Sequence, residues 1–378
     1  MILGANEFQK KIINRANELG YETHVFAWNE GAVAKEIADF FYPISITEKQ
    51  QILNFVTKIN PDGICSIASD LAMPTVNFIA NELGLVGNTL QCTRVTTDKF
   101  EMRKALSYNN LPCPKYKLVK DINDMNFTDL EFPLIIKPVD RSGSRGVSLV
   151  EKWDELNEAI NNAKNVSFGD EVLVEEYIDG REFSIEFITQ SGKHFFLQMT
   201  EKFTTGAPNF IEKGHLSPAR ISEDLMKKII AIIEKSLDVL NIENGASHSE
   251  VKINSNGDIK IIEIAARMGG DFIGSNMVYI STGFDFLKNT IKVAVQEKID
   301  SVKITNEKMA LVGFIFNRND KNRFELLKDR HPTILKEYEI KTELNNVCDS
   351  SSRNGYYILE IDNEKILNEI LELLNMEE

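Results

Sequence analysis

Apolar and polar positions along this chain follow two periods, and the change from one to the other divides it. Over residues 1–97, short apolar runs alternate with stretches at helical spacing. ILGAN opens as a strand and turn, and FQKKIINRANELG reads as an amphipathic helix closed by Gly20. THVFAW then reads as a strand, AVAKEIADFF (32–41) as a helix, and the stretch near YPIS as another strand. The helix EKQQILNFVTKI, the strand GICSIAS and the helix PTVNFIANELG complete the series, which ends at Gly84. Such alternation predicts a parallel sheet with helices on both faces. The turn LGAN has one glycine and lacks GxGxxG, so a plain strand-to-helix turn is a better reading than a dinucleotide site.

From TTDKFEMRKALSYNNLPCP onward the period-two pattern takes over. Asp98 and Glu101 have capping-box spacing for a helix that Pro112 stops. KYKLV, PLIIK, VSLV and EVLVEEYI read as strands, with a helix at WDELNEAINNA. REFSIEFIT and KHFFLQMT alternate strictly, and SEDLMKKIIAIIEKSLDVL is a long helix. SHSEVKI and DIKIIEI are strands joined through NSNG. The last segment holds the strand ALVGFIFN, a charged stretch, the strand YYILEI and the helix EKILNEILELL.

Composition narrows the classes. The 378 residues suit two or three domains, with 43% hydrophobic and 26% charged positions. A formal charge of −14 argues against a general nucleic-acid binder, and no apolar run reaches the length of a membrane span. No export signal is visible at the start. Four scattered cysteines, without metal-ligand spacing, fit a reducing cytoplasm.

Four constellations bear on chemistry. A two-residue loop at Asn256-Gly257 places Glu250 directly opposite Glu263; a four-residue loop shifts the pairing by two and keeps both carboxylates on one face. Two such carboxylates need neutralising, either by a hard divalent cation or by solvent with Lys252 and Lys260 nearby. The run DRSGSRGVS follows the strand that ends in Lys137. It offers backbone amides around Gly143 and Gly146 and the hydroxyls of Ser142 and Ser144 to a phosphate, or it is a polar turn. In EVLVEEYIDGREFSIEF, alternation puts Glu182, Ser184 and Glu186 on one face and Phe183, Ile185 and Phe187 on the other. Arg267 opens ARMGGD directly after the Glu263 strand, either as a bidentate clamp for an anion or as a surface arginine.

In order and spacing, DKFEMRKAL, FPLIIKP, DRSGSRGV, VLVEEYIDGREFS, HSEVKI and IIEIAARMGGD together resemble the ATP-grasp superfamily, and within it the carboxylate–amine ligases, including amino acid ligases. The resemblance implies an α/β chain, α+β in its ATP-grasp part. A Rossmann-like domain (1–97) precedes a two-lobed ATP-grasp domain (98–300, lid lobe about 116–180), and an α+β segment (301–378) completes the fold. It implies that Lys99 and Lys137 hold the phosphates of ATP, that Arg141 to Gly146 form the lid, and that Glu175, Glu176, Tyr177 and Ile178 face adenine. Glu182 then takes the ribose, and Glu250 and Glu263 take magnesium, with manganese as an alternative. His248 falls in the nucleotide site, Arg267 orients the carboxylate substrate, and His215 lies on the acceptor side as the candidate general base. Many relatives have asparagine as a further metal ligand where this chain has Ala265.

The implied reaction is formation of an amide through an acyl phosphate, from a small-molecule carboxylate and an amine such as amino acids, in a protein that pairs as a homodimer. Three rivals share the scaffold: a bicarbonate-using carboxylase, a non-catalytic ATP sensor, and a structural subunit with a vestigial site.

Overall fold

The computed structural model describes residues 1–120 and 129–376, so the 121–128 part of the expected lid lobe lies outside the described residues. The described residues form a mixed α/β protein with three sheets.

The first sheet is parallel, in the order β1 (Ile2–Leu3), β2 (His24–Phe26), β3 (Phe40–Tyr42). Alternation along β1 and β2 sends Ile2 and Val25 to one face and Leu3 and Phe26 to the other. The first face packs on Ile12, Ile13 and Ala16 of α1 (Glu7–Glu18). The second packs on α2 (Lys49–Ile59) and α3 (Met73–Leu83) through Ile52, Val56, Val76 and Ile79. Both faces are thus covered, as the alternation predicts. The helix expected over 32–41 is absent: Lys35–Ile37 form a single 3-10 turn, and Phe40–Tyr42 enter the sheet instead. Asp39 accepts from the amide and hydroxyl of Thr23 and returns its own amide to that hydroxyl, which pins the segment extended beside β2. The strand expected at GICSIAS contributes one parallel bridge, Ile2 to Cys65.

Helices α4 (Leu90–Thr97) and α5 (Lys99–Tyr108) lead into the second sheet. Asp98 caps α5 by accepting from the amides of Phe100 and Glu101. The Glu101 side chain turns to Arg94 and Lys104, so only half of the expected capping box forms. The second sheet contains β4 (Tyr116–Val119), β5 (Leu134–Pro138), β6 (Ser148–Val150) and β7 (Val172–Glu176) in the antiparallel order β4-β7-β5-β6. Helix α6 (Trp153–Val166) covers it with Leu156, Ile160 and Ala163.

The third sheet has eight antiparallel strands in the order β12-β11-β8-β9-β10-β13-β15-β14. They are β8 (Arg181–Gln190), β9 (Lys193–Thr204), β10 (Glu212–Ser217), β11 (Gly245–Ile253), β12 (Ile259–Ala265), β13 (Met309–Phe314), β14 (Leu335–Ile340) and β15 (Gly355–Ile361). Helix α7 (Glu223–Val239) sets Ile229, Ile233 and Leu237 against Phe183, Ile185, Phe187 and Val251. Helices α8 (Val278–Thr282) and α9 (Phe286–Ala294) precede β13, and β13 joins β10, so the last eighty or so residues extend this same sheet. The charged stretch after β13 folds as α10 (Arg318–Arg330) and β14, and α11 (Glu364–Leu374) closes the chain.

The second and third sheets meet at Gly180, between β7 and β8. Its φ is +117°, and a Cβ there would stand 2.1 Å from the Ile253 carbonyl oxygen. Gly180→Ala is therefore expected to destabilise the protein by more than about 1 kcal/mol in chemical denaturation, because both the backbone angle and the close approach oppose a side chain.

Candidate active site

The cleft between the two antiparallel sheets holds a cavity of about 1060 Å³. Its floor is the β11–β12 pair, where Glu250 stands directly opposite Glu263. That pairing arises by a route the sequence did not suggest. The connecting loop has five residues, 254–258, with the Asn254 side chain accepting from the amides of Asn256 and Asp258. A β-bulge between Glu250 and Val251 then restores the register.

Each floor carboxylate meets a buried cation. Glu263 Oε1 is 2.8 Å from Lys99 Nζ, whose ammonium also donates to the Arg141 carbonyl at 2.7 Å. Glu250 Oε1 is 2.6 Å from Lys202 Nζ and 3.3 Å from His248 Nε2. Lys202 also reaches Glu182 at 2.7 Å and Glu212 at 3.8 Å. Burial opposes charge at Lys202, yet Glu182 and Glu250 hold its ammonium well above the usual lysine range. Partial burial opposes charge at Glu250, yet Lys202 and His248 hold its carboxyl well below its ordinary value. Sequence reasoning missed Lys202. The available signal was register: strict alternation on β8 and β9 pairs Glu182 with Lys202 across the strands.

The roof comes from the smaller sheet. Lys137 on β5 is 2.6 Å from Glu175 on β7, and Arg103 Nε is 2.6 Å from the other Glu175 oxygen. Despite burial, Arg103 and Lys137 hold Glu175 below the usual carboxylate range. The Glu175 carboxylate is thus committed to two cations, and Glu176 accepts from the Lys115 amide at 3.0 Å. Tyr177 and Ile178 line the cavity beyond them, with the Ile178 carbonyl accepting from Lys252. Arg141, Ser142, Gly143 and Ser144 line the opposite edge, and Ser144 adopts φ +57° while its hydroxyl donates to the Phe210 carbonyl. Gly146 packs behind the loop, where a Cβ would stand 2.4 Å from Val166 Cγ2.

A second cavity, about 1020 Å³, opens from the first and shares Lys202, Glu250, His248 and Arg267 with it. Arg267 is held by Asp70 of the N-terminal part, through Nε at 2.8 Å and Nη2 at 2.9 Å. The segment expected as a strand at GICSIAS instead delivers Asp70 to this point: Ala68 donates to the Met268 carbonyl just before it. His215 lies in the wall of the second cavity rather than the first, with Nε2 3.4 Å from Asp271 Oδ2.

Glu250 and Glu263 are the two protein carboxylates that a magnesium ion ordinarily takes, the remaining ligands being water and phosphate oxygens. The pair therefore fits such an ion, and Ala265 adds no ligand to it. Among the described residues, no group of three or more His, Cys, Asp or Glu side chains is gathered for a metal.

Residues 130–276 match the ATP-grasp domain. In sequence, the chain is 28% identical to alanine–anticapsin ligase of Bacillus subtilis over 279 residues, which is 65% of this chain and 58% of that ligase. It is 26% identical to a formate-dependent phosphoribosylglycinamide formyltransferase of Prochlorococcus marinus over 208 residues, covering 52% of this chain and 53% of that one. The chain thus spans less than two thirds of the length of these relatives. In structure, it resembles an L-amino acid ligase from Bacillus licheniformis with TM-score 0.84 and 22% identity, covering 100% of this chain and 96% of that one. An N5-carboxyaminoimidazole synthetase from Staphylococcus aureus with ADP bound gives TM-score 0.81 and 17% identity, covering 99% and 96%. Residues 130–276 are thus similar to an ATP-grasp domain. The chain's relatives by sequence include a ligase for alanine and anticapsin, and its whole-length fold is shared with an amino acid ligase.

His248 yields a pH prediction. It is buried, which disfavours its charge, but Glu186 and Glu250 on its two ring nitrogens raise its pKa from 6.5 to about 9. The stability it supplies is therefore complete below pH 6.5 and lost as pH rises through about 9. Without divalent metal or nucleotide, denaturation midpoints should fall over that interval, and His248→Gln should flatten the fall.

Proposed function

We propose that this chain is an ATP-dependent carboxylate–amine ligase working through an acyl phosphate. The observation that carries this reading is the junction of two cavities at Lys202, Glu250, His248 and Arg267. One cavity has the lysines and loop amides that suit a triphosphate, and the other has polar walls that suit a second reactant. Lys99, Lys137 and the 141–144 loop hold the phosphates. Glu250 and Glu263 would hold magnesium, which would supply neutralisation of phosphate charge.

A carboxylate oxygen of the acceptor, oriented at Arg267, attacks the γ-phosphorus as the bond to ADP breaks. An amine nitrogen then attacks the acyl carbon, phosphate leaves, and the nitrogen gives up a proton. His215 is the candidate base: with Asp271 accepting from Nε2, the unpartnered Nδ1 is the basic nitrogen. Closure of the 141–146 loop excludes water from the acyl phosphate. Amino acids are the proposed reactants, supported by the names of the sequence relative and the fold relative. A reducing cytoplasm suits the four unpaired cysteines.

The test is ADP release with ATP and magnesium across pooled carboxylates and amines, with hydroxylamine as a trap. Carboxylate-dependent release with a hydroxamate product is expected, and Glu263→Ala should lower the rate at least about 100-fold. Release that depends on bicarbonate alone, or ATP binding without turnover on any pool, would refute the ligase reading.

A further inference from the structure

Beyond the nucleotide, the second cavity has a wall that no sequence motif indicated, the segment from Asp349 to Arg353 just before β15. Arg353 is the anchor of that wall. Its Nη1 is 2.9 Å from Asp271 Oδ2 and its Nη2 contacts Asp271 Oδ1, a bidentate pair. Nε donates to the Ser350 carbonyl at 2.7 Å, and Nη1 also reaches the Glu212 carbonyl at 3.4 Å. The guanidinium lies 3.5 Å from the Phe314 ring centroid. All three nitrogens of Arg353 are engaged by the protein itself, with one face on an aromatic ring and 8% of the side chain exposed.

What it grips is a bent piece of backbone. Asp271 and Phe272 are consecutive non-glycine residues in the left-handed region, at φ +50° and +63°. Such angles persist only where surrounding contacts impose them. Phe272 is clasped between Phe8, at 5.5 Å between centroids, and Tyr356, at 4.1 Å. Asp271 has Arg353 on one side and His215 on the other. The bend begins four residues after Arg267, so it sets where the chain leaves the site.

We propose that Arg353 is a positioning residue for the acceptor half of the reaction. By holding Asp271 it fixes the bend after Arg267 and keeps the Asp271 carboxylate on Nε2 of His215. The inference rests on the ligase reading for the identity of the acceptor, but the mechanical claim stands apart from it. A C-terminal segment, remote in sequence from every nucleotide-binding motif, thereby governs use of the second substrate.

Hydrogen exchange and kinetics of Arg353→Met and Arg353→Lys test this. In Arg353→Met, amides 268–273 should exchange about tenfold faster, while the lid-lobe strands keep their protection. The KM for the carboxylate should rise about tenfold or more, with the KM for ATP within about threefold of wild type. Arg353→Lys, which keeps a charge but loses the fork, should fall between, and it supplies the measurement if the methionine variant does not fold. Unchanged exchange at 268–273, acceleration spread evenly over the molecule, or equal losses for both substrates would overturn the proposal. If the wild type releases no ADP with any carboxylate, the ligase reading falls, and the exchange data still decide the role of Arg353.

Discussion

Two carboxylates opposite each other on neighbouring strands repel, and a fold that places Glu250 against Glu263 must supply positive charge to the same point. The cations come from distant stretches of chain: Lys99 from the start of α5, Lys202 from β9 and His248 from β11. Each is buried, and a buried ammonium is tolerated only beside an acid. The arrangement thus locks in both directions. The acids need the cations to share a face, and the cations need the acids to stay charged out of water.

The same logic extends outward. Arg267 reaches into the cleft from the third sheet but is held by Asp70 of the N-terminal part, and Asp271 is held by Arg353 from beyond β14. The segment after the parallel sheet, through Asp70, and the segment before β15, through Arg353, each supply one member of an ion pair to the loop after β12. The fold likeness to the amino acid ligase spans the whole chain, while the ATP-grasp domain match covers 130–276.

Much of this was legible in the sequence, and the limits have physical causes. Strands with strict alternation, such as REFSIEFIT, and helices with clear caps lie where the pattern puts them, because burial of one face fixes both. Segment 32–41 has helical periodicity but ends in two aromatics, Phe40 and Phe41, and the Thr23–Asp39 exchange, a contact across sixteen residues, draws them into a sheet. The predicted site residues converge on the cleft apart from Gly146, which packs behind its loop, and His215, which faces the second cavity. Lys202, Asp70 and Arg353 were not found because a lone lysine, aspartate or arginine acquires meaning only from a partner far along the chain. The Glu250–Glu263 register was reached by a five-residue loop and a bulge, two departures that cancel.

Arg103 has a mechanical consequence. From α5 it bonds Glu175 of the smaller sheet and the Ile262 carbonyl of the larger one, with no exposed surface on its side chain. Swinging the whole upper lobe away would pull a charge out of a dry pair, at a cost of about 3–5 kcal/mol. The 141–146 loop is held by hydrogen bonds that include those from Lys99 to the Arg141 carbonyl and from Ser144 to the Phe210 carbonyl, and Gly143 and Arg145 at its tip are exposed. The lobe is therefore stiffly joined at its root, and movement at the tip of the 141–146 loop costs less than movement of the lobe as a whole.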